Sequence, residues 1–247
     1  MIAPVRGQNL TYTLAHKLGV AIVTGFYSID NPFPIESELC RQFNASRTVL
    51  REAIKMLTAK GLLGSRPRVG TSVQPEANWN LLDPDVLGWL LERKFSPALL
   101  IEFTEIRLAL EPEAARLAAR VAGPEEKTAI RGAIERMQEA DTGNDDPLES
   151  DIAFHVAVLR ACRNRFYAQL TGFTATALRF SIRTTNRYKG VRLASVADHK
   201  KVADAIMAGK PTAAAEAMRK LIQEALDLMH RREGLAAAPR SKAVATR

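Results

Sequence analysis

The chain has little cysteine: two residues in 247, Cys40 and Cys162. Each falls in a segment that reads as helix. That excludes a disulfide framework and points to a reducing, cytoplasmic location. No stretch approaches the ~18 or more consecutive apolar residues of a membrane span. The opening MIAPVRGQNL lacks the long apolar core of a secretory signal, so no membrane partner is expected. Histidine is scarce as well. His16, His155, His199 and His230 are the whole supply, and any imidazole site must draw on them. Beyond Pro84 there is no strand-like alternation, and no internal repeat is visible. The second half cannot be a sandwich or a repeat array.

Apolar content is ordinary at 47%, enough for a sizeable core. The net charge of +8 is more telling. Residues 1–75 hold nine basic groups against four acids, a local excess of five. A concentrated excess suggests a polyanionic partner. The tail 234–247, rich in Ala, Arg and Lys, reads as disordered.

Periodicity divides the chain into a domain at 1–75, a linker at 76–84 and a helical domain at 85–233. Helices are expected at 84–92, 97–121, 124–141, 147–161, 164–187, 192–208 and 211–233. They are separated by turn residues such as Gly123-Pro124 and Gly209-Lys210-Pro211. The fold class is mainly α, with an antiparallel helical bundle in the second part.

In the first part, 8–24 reads as an amphipathic helix with Leu10, Leu14, Leu18 and Ile22 on one stripe. IESELCRQF is a short helix, NAS a turn, and SRTVLREAIKMLTAKGLL a second helix with Ser46 placed as N-cap. Val49, Leu50, Ala53, Ile54 and Leu57 form its apolar stripe. Arg47, Arg51 and Lys55 lie on another face, with Thr48 beside Arg47. Such side chains can reach base edges in a major groove, although a solvated basic face is common by itself. GSRPRVGTSV then fits a two-stranded wing, laying Arg66 and Arg68 on a phosphate backbone, with Gly70 allowing close approach.

The segment FPIESELCRQFNASRTVLREAIKMLTAKGLLGSRPRVGTSV resembles the winged helix-turn-helix of the GntR superfamily of bacterial transcription factors. It matches at Pro34, Glu36, Leu39, Ser46, Arg47, Arg51, Glu52, Ala53, Gly61, Leu62 and Gly70. Ser37 stands where the family often has a DNA-contacting arginine. The helical second domain, with EIRLALEPEAARLAA at 105–119, resembles the FadR-like subfamily and its FCD ligand-binding domain. NWNLLDPDVLGWLLE at 78–92 is similar to the galactonate-operon repressor branch, whose regulators respond to sugar acids.

Arg107 sits among apolar and small residues on its helix. Buried, it needs an anion: either an internal partner such as Glu111 or Asp151, or a ligand carboxylate held bidentately. Asp151 and His155 are four apart, so both can face one centre. They could form an ion pair, half a metal site, or a catalytic pair. The family resemblance implies a divalent-metal site at Asp151, His155 and His199. Its usual fourth ligand, a further histidine, is replaced here by Leu221. Three such residues can still hold zinc, or, with no metal, can hydrogen-bond the ligand directly. Arg179 and Arg183 are further candidates for the effector pocket.

The resemblance implies a homodimeric repressor. It would read double-stranded operator DNA and be released by a small carboxylate effector, a sugar acid, with the linker carrying the signal. Two other functions compete. A metal-dependent enzyme would use Glu111 or Asp198 as base, but no residue pattern identifies a nucleophile. A nonspecific architectural DNA binder would have no use for a ligand-type bundle.

Overall fold

A computed structural model describes residues 10–28, 30–66, 70–93, 97–189 and 195–233; Arg68 and the tail 234–247 lie outside them. The chain forms two compact units, Met1–Phe95 and Ser96–Arg247.

The first unit begins with α1 (Leu10–Val23), which buries Leu14, Leu18 and Ile22. Leu10, expected on the same stripe, is exposed. Helix α2 (Glu36–Phe43) ends at Asn44, whose left-handed backbone (φ 48°) turns the chain tightly. Asn tolerates that conformation better than most residues. The Ser46 side chain then accepts from Val49 N at 3.3 Å and opens α3 (Arg47–Ala59). Leu50, Ala53 and Leu57 are fully buried; Val49 and Ile54 are half-buried. β1 (Leu63–Arg66) and β2 (Gly70–Val73) pair antiparallel, from Leu63 opposite Val73 to Arg66 opposite Gly70. This is the expected wing.

The expected linker at 76–84 is not a free connection. The Trp79 indole N–H donates to the Gln74 carbonyl at 2.9 Å, and Asn80 N–H donates to the Lys60 carbonyl at 3.0 Å. Gly61 has φ 79°, and a side chain there would strike the Asn78 carbonyl. Lys60 Nζ sits 2.7 Å from Asp83 Oδ2 and 2.9 Å from Asp85 Oδ2. Helix α4 (Pro84–Arg93) packs on α1. Trp89 fills the space that Gly19 leaves open and donates its indole N–H to His16 Nδ1 at 2.7 Å. Tyr12 Oη donates to Asp85 Oδ1 at 2.8 Å. The first compact unit therefore runs about twenty residues past residue 75.

The second unit comprises α5 (Pro97–Val121), α6 (Pro124–Asp141), α7 (Pro147–Ala161), α8 (Arg165–Gln169), α9 (Thr171–Lys189), α10 (Val196–Met207) and α11 (Pro211–Glu233). α11 runs along α5, α7 packs on α6, α9 and α5, and α10 packs on α11, α6 and α5. Small residues permit the close approach: Ala114, Ala115 and Ala118 of α5 and Ala214 of α11 are buried in one core with Phe154, Ile206 and Met218. The helix expected at 164–187 is two helices, broken at Leu170, whose N–H bonds back to the Tyr167 carbonyl. Among the described residues no helix is long and apolar enough to cross a membrane.

Candidate functional site

Five ionisable side chains from three helices meet inside the second unit. Helix α5 supplies Arg107 and Glu111, α7 supplies Asp151 and His155, and α10 supplies His199. All five are buried, none more than 6% exposed. Two helical pairs four residues apart, 107/111 and 151/155, put each pair on one face. His199 is brought in by the start of α10, where Ser195 caps the helix by accepting from Asp198 N.

The contacts form a chain. Arg107 Nε donates to Glu111 Oε1 at 2.6 Å, and His155 Nδ1 donates to Glu111 Oε2 at 2.6 Å. Arg107 Nη2 also lies 3.2 Å and 3.3 Å from the two His155 ring nitrogens. His155 Nε2 is 3.3 Å from Asp151 Oδ1, and His199 Nε2 is 3.1 Å from the same oxygen. His199 Nδ1 lies 2.8 Å from the Ser195 carbonyl. A carbonyl only accepts, so that nitrogen carries a proton. Phe154 packs edge-on against both imidazoles and limits their rotation.

Burial would push these carboxyls up and His155 down. The partners win. Arg107 and His155 hold Glu111 at about 2 instead of the ordinary 4.5. His199 and His155 hold Asp151 well below the usual carboxylate range. Glu111, with help from Asp151, raises His155 against the opposing effects of burial and Arg107. The carboxylates stay ionised in the folded protein.

Asp151, His155 and His199 each offer one donor atom, all within 4.8 Å of one another. Both histidines present Nε2 to the centre and spend Nδ1 on an oxygen acceptor. That is how protein oxygens fix the orientation of metal-ligating imidazoles. The adjoining cavity, about 60 Å³, is lined by Arg107, Asp151, His155 and His199, with Leu221, Leu178, Ile182 and Met229 as apolar wall. Leu221, where the family resemblance implies a fourth ligand, thus faces the same space without a donor atom.

Not every expected residue joins this site. Arg107 lines the cavity and is paired with Glu111, one of the internal partners offered for it. Arg179 does not belong here: its Nε and Nη2 bond Glu149 at 3.0 and 3.2 Å on the exposed faces of α9 and α7. The Arg183 side chain lies outside the described residues. Sequence reasoning named Glu111 only as a partner for Arg107. Its bond to His155, and the Ser195 carbonyl behind His199, needed three helices to be placed.

In the first unit, Ser37, Ser46, Arg47, Thr48, Arg51 and Lys55 are exposed on α2 and α3, and Gly70 is exposed in the wing with φ 91°. Arg51 Nε bonds Glu36 Oε2 at 3.0 Å, and Lys55 Nζ bonds Glu52 Oε1 at 2.8 Å. The Arg66 backbone is in β1, but its side chain, like all of Arg68, lies outside the described residues.

Known proteins match both units. Residues 10–73 match the bacterial regulatory proteins of the gntR family, and residues 102–224 match the FCD domain. The HTH-type transcriptional regulator YieP of Escherichia coli is 38% identical over 68% of this chain and 73% of its own length. The galactonate operon transcriptional repressor of the same organism is 37% identical over 66% of this chain and 71% of its own. A solved structure of Lar, which controls the Listeria monocytogenes agr system, shares the fold with a TM-score of 0.61. That match has 17% identity and covers 92% of this chain and 99% of that one. The chain belongs to the GntR family of transcriptional regulators, with a winged helix-turn-helix followed by an FCD domain, and it is a regulator rather than an enzyme.

Proposed function

We propose that the chain is a cytoplasmic, homodimeric repressor of a sugar-acid catabolic operon. A small carboxylate bound beside Arg107, Asp151, His155 and His199 releases it from its operator. One observation carries the effector half of this reading. Two buried imidazoles, each anchored through Nδ1, converge with a carboxylate at the wall of a cavity. Two nitrogens and an oxygen suit a divalent cation, zinc above all. Asp151, His155 and His199 would hold it. A cation bound there would supply positive charge that favours an acid. Arg107 orients the effector carboxylate, and Leu178, Ile182 and Met229 keep bulk water from it. The named function of the galactonate operon repressor supports a sugar acid as effector and repression as the sign.

On the DNA side, Arg47, Thr48, Arg51 and Lys55 enter the major groove from the α3 start, with Ser46 and Ser37 beside them. Arg66, Arg68 and Gly70 follow the phosphates. A dimer reads two half-sites. The effector releases DNA by binding the DNA-incompetent arrangement more tightly.

Thermal shift with D-galactonate and other aldonates, with and without zinc, tests the reading. A true effector raises the melting temperature by mass action and weakens binding to a duplex the protein has selected from a random pool. No response to any aldonate in either metal state refutes the sugar-acid reading, and tighter DNA binding reverses the sign.

A further inference from the structure

The recognition helix α3 treats its three exposed basic residues differently. Arg47 stands at the helix start. Lys55 is neutralised on its own helix by Glu52. Arg51 is held from outside, by Glu36 of α2, through a 3.0 Å bond between largely exposed side chains (63% and 41%).

A carboxylate there is a liability for a protein that must approach phosphates, and an exposed ion pair contributes little to stability. The geometry suggests what it does instead. Arg136, Arg163 and Arg179 each give both Nε and Nη2 to a carboxylate. Arg51 gives Nε alone. A guanidinium is a rigid plane with two donor edges, one formed by Nε with one Nη, the other by the two Nη groups. Glu36 occupies the first edge and leaves the second able to donate two parallel bonds. Guanine presents O6 and N7 side by side in the major groove, the acceptor pair that matches such a fork. The anchor is firm, because Leu39 of α2 and Leu50 of α3 are fully buried and the Asn44 turn joins the two helices.

We propose that Glu36 is a positioning residue for sequence readout: it sets the Arg51 guanidinium so that its two Nη groups meet the O6/N7 edge of one guanine. Holding the fork before binding removes an ordering cost that would otherwise reduce affinity for the correct base. The inference rests on the DNA-regulator reading above.

The test uses the full-length protein, the duplex that wild type enriches from a random-sequence pool, and variants of that duplex with each base pair changed singly. Arg51→Ala is expected to flatten discrimination at one G·C pair per half-site. Glu36→Ala should flatten discrimination at the same pair by roughly tenfold, within the range of a bidentate contact. Its affinity for random duplex should stay the same or rise, because an acid has been removed. Glu36→Gln keeps an oxygen for Nε and should retain most of the discrimination. In an Arg51→Ala background, Glu36→Ala should add nothing. A merely structural Glu36 would instead weaken every duplex by the same factor. That result, or an unchanged profile in both Glu36 variants, overturns the proposal while leaving the regulator reading intact. If wild type enriches no sequence, the regulator reading falls and takes this role with it.

Discussion

Replacing Arg107 with methionine isolates the buried charge chain. The substitution roughly keeps side-chain volume and removes the cation from Glu111, which is 2% exposed. The structure supplies the magnitude. Glu111 is held at about 2 against an ordinary 4.5 by Arg107 and His155 together, net of burial, and at 1.36 kcal/mol per unit that is about 3 kcal/mol in favour of the carboxylate. The figure agrees with the ~3–5 kcal/mol lost when one partner of a buried pair is removed. His155 still donates to Glu111 at 2.6 Å, which favours the lower end. Arg107→Met should therefore lose about 3 kcal/mol at pH 7. Glu111's lowered value adds stability above its unfolded value, and that stability disappears as pH falls from about 4.5 towards 2. In the variant Glu111 can shed its charge at a higher pH, so the gap to wild type narrows on acidification. Arg107→Met with Glu111→Gln should recover most of the loss, because the buried carboxylate that lost its cation is gone as well. Urea unfolding in chelator, followed by far-UV circular dichroism, measures this. Both tryptophans, Trp79 and Trp89, lie in the first unit, so fluorescence serves as the internal control. A loss under about 0.5 kcal/mol at pH 7, or a double variant as unstable as the single one, refutes the reasoning.

Other outcomes follow from the same contacts. Gly19→Ala should expel Trp89, cost the first unit roughly 1–3 kcal/mol and red-shift its fluorescence; unchanged emission counts against the α1–α4 packing. Leu221→His should tighten zinc binding and leave urea stability in chelator little changed, as read by competition with a chromophoric chelator. Arg179→Ala should leave any aldonate response intact and shift stability by under about 1 kcal/mol, since its pair with Glu149 is exposed.

The helices of the second unit were legible because prolines punctuate them. Pro97, Pro124, Pro147 and Pro211 each stand at the first helical position, where the missing N–H costs nothing. The break at Leu170 has no proline, and Gly172 beyond it lies inside α9, so periodicity runs through the break and two helices read as one. The linker was misplaced for a different reason. Its apolar spacing is irregular, but it is fixed by Lys60, more than twenty residues upstream of Asp83 and Asp85. Local pattern carries no record of such a pairing. Arg179 shows the converse: spacing places a residue on a helix face, yet Glu149 of the neighbouring helix decides which way its charge turns.

Asp151 and His155 show what spacing leaves open. Four residues apart, they fit an ion pair, half of a metal site or a catalytic pair. The same set of atoms is placed for an ion pair or for a metal site. His199 Nδ1 must donate to the Ser195 carbonyl, yet its Nε2 faces a carboxylate oxygen at 3.1 Å. His155 repeats the pattern with Glu111 and Asp151. Without a cation, protons can fill the gaps between the Nε2 atoms and Asp151, and for His155 the Arg107 Nη2 group 3.3 Å from Nε2 is a second donor. A metal ion would take the place of those protons. Zinc uptake should therefore release about one to two protons. Calorimetry in buffers of different ionisation enthalpy at pH 6 counts the protons directly. Zinc binding that needs Asp151 but releases none would show that the imidazoles already expose bare Nε2 atoms, and the protonated resting state argued from these distances would be wrong.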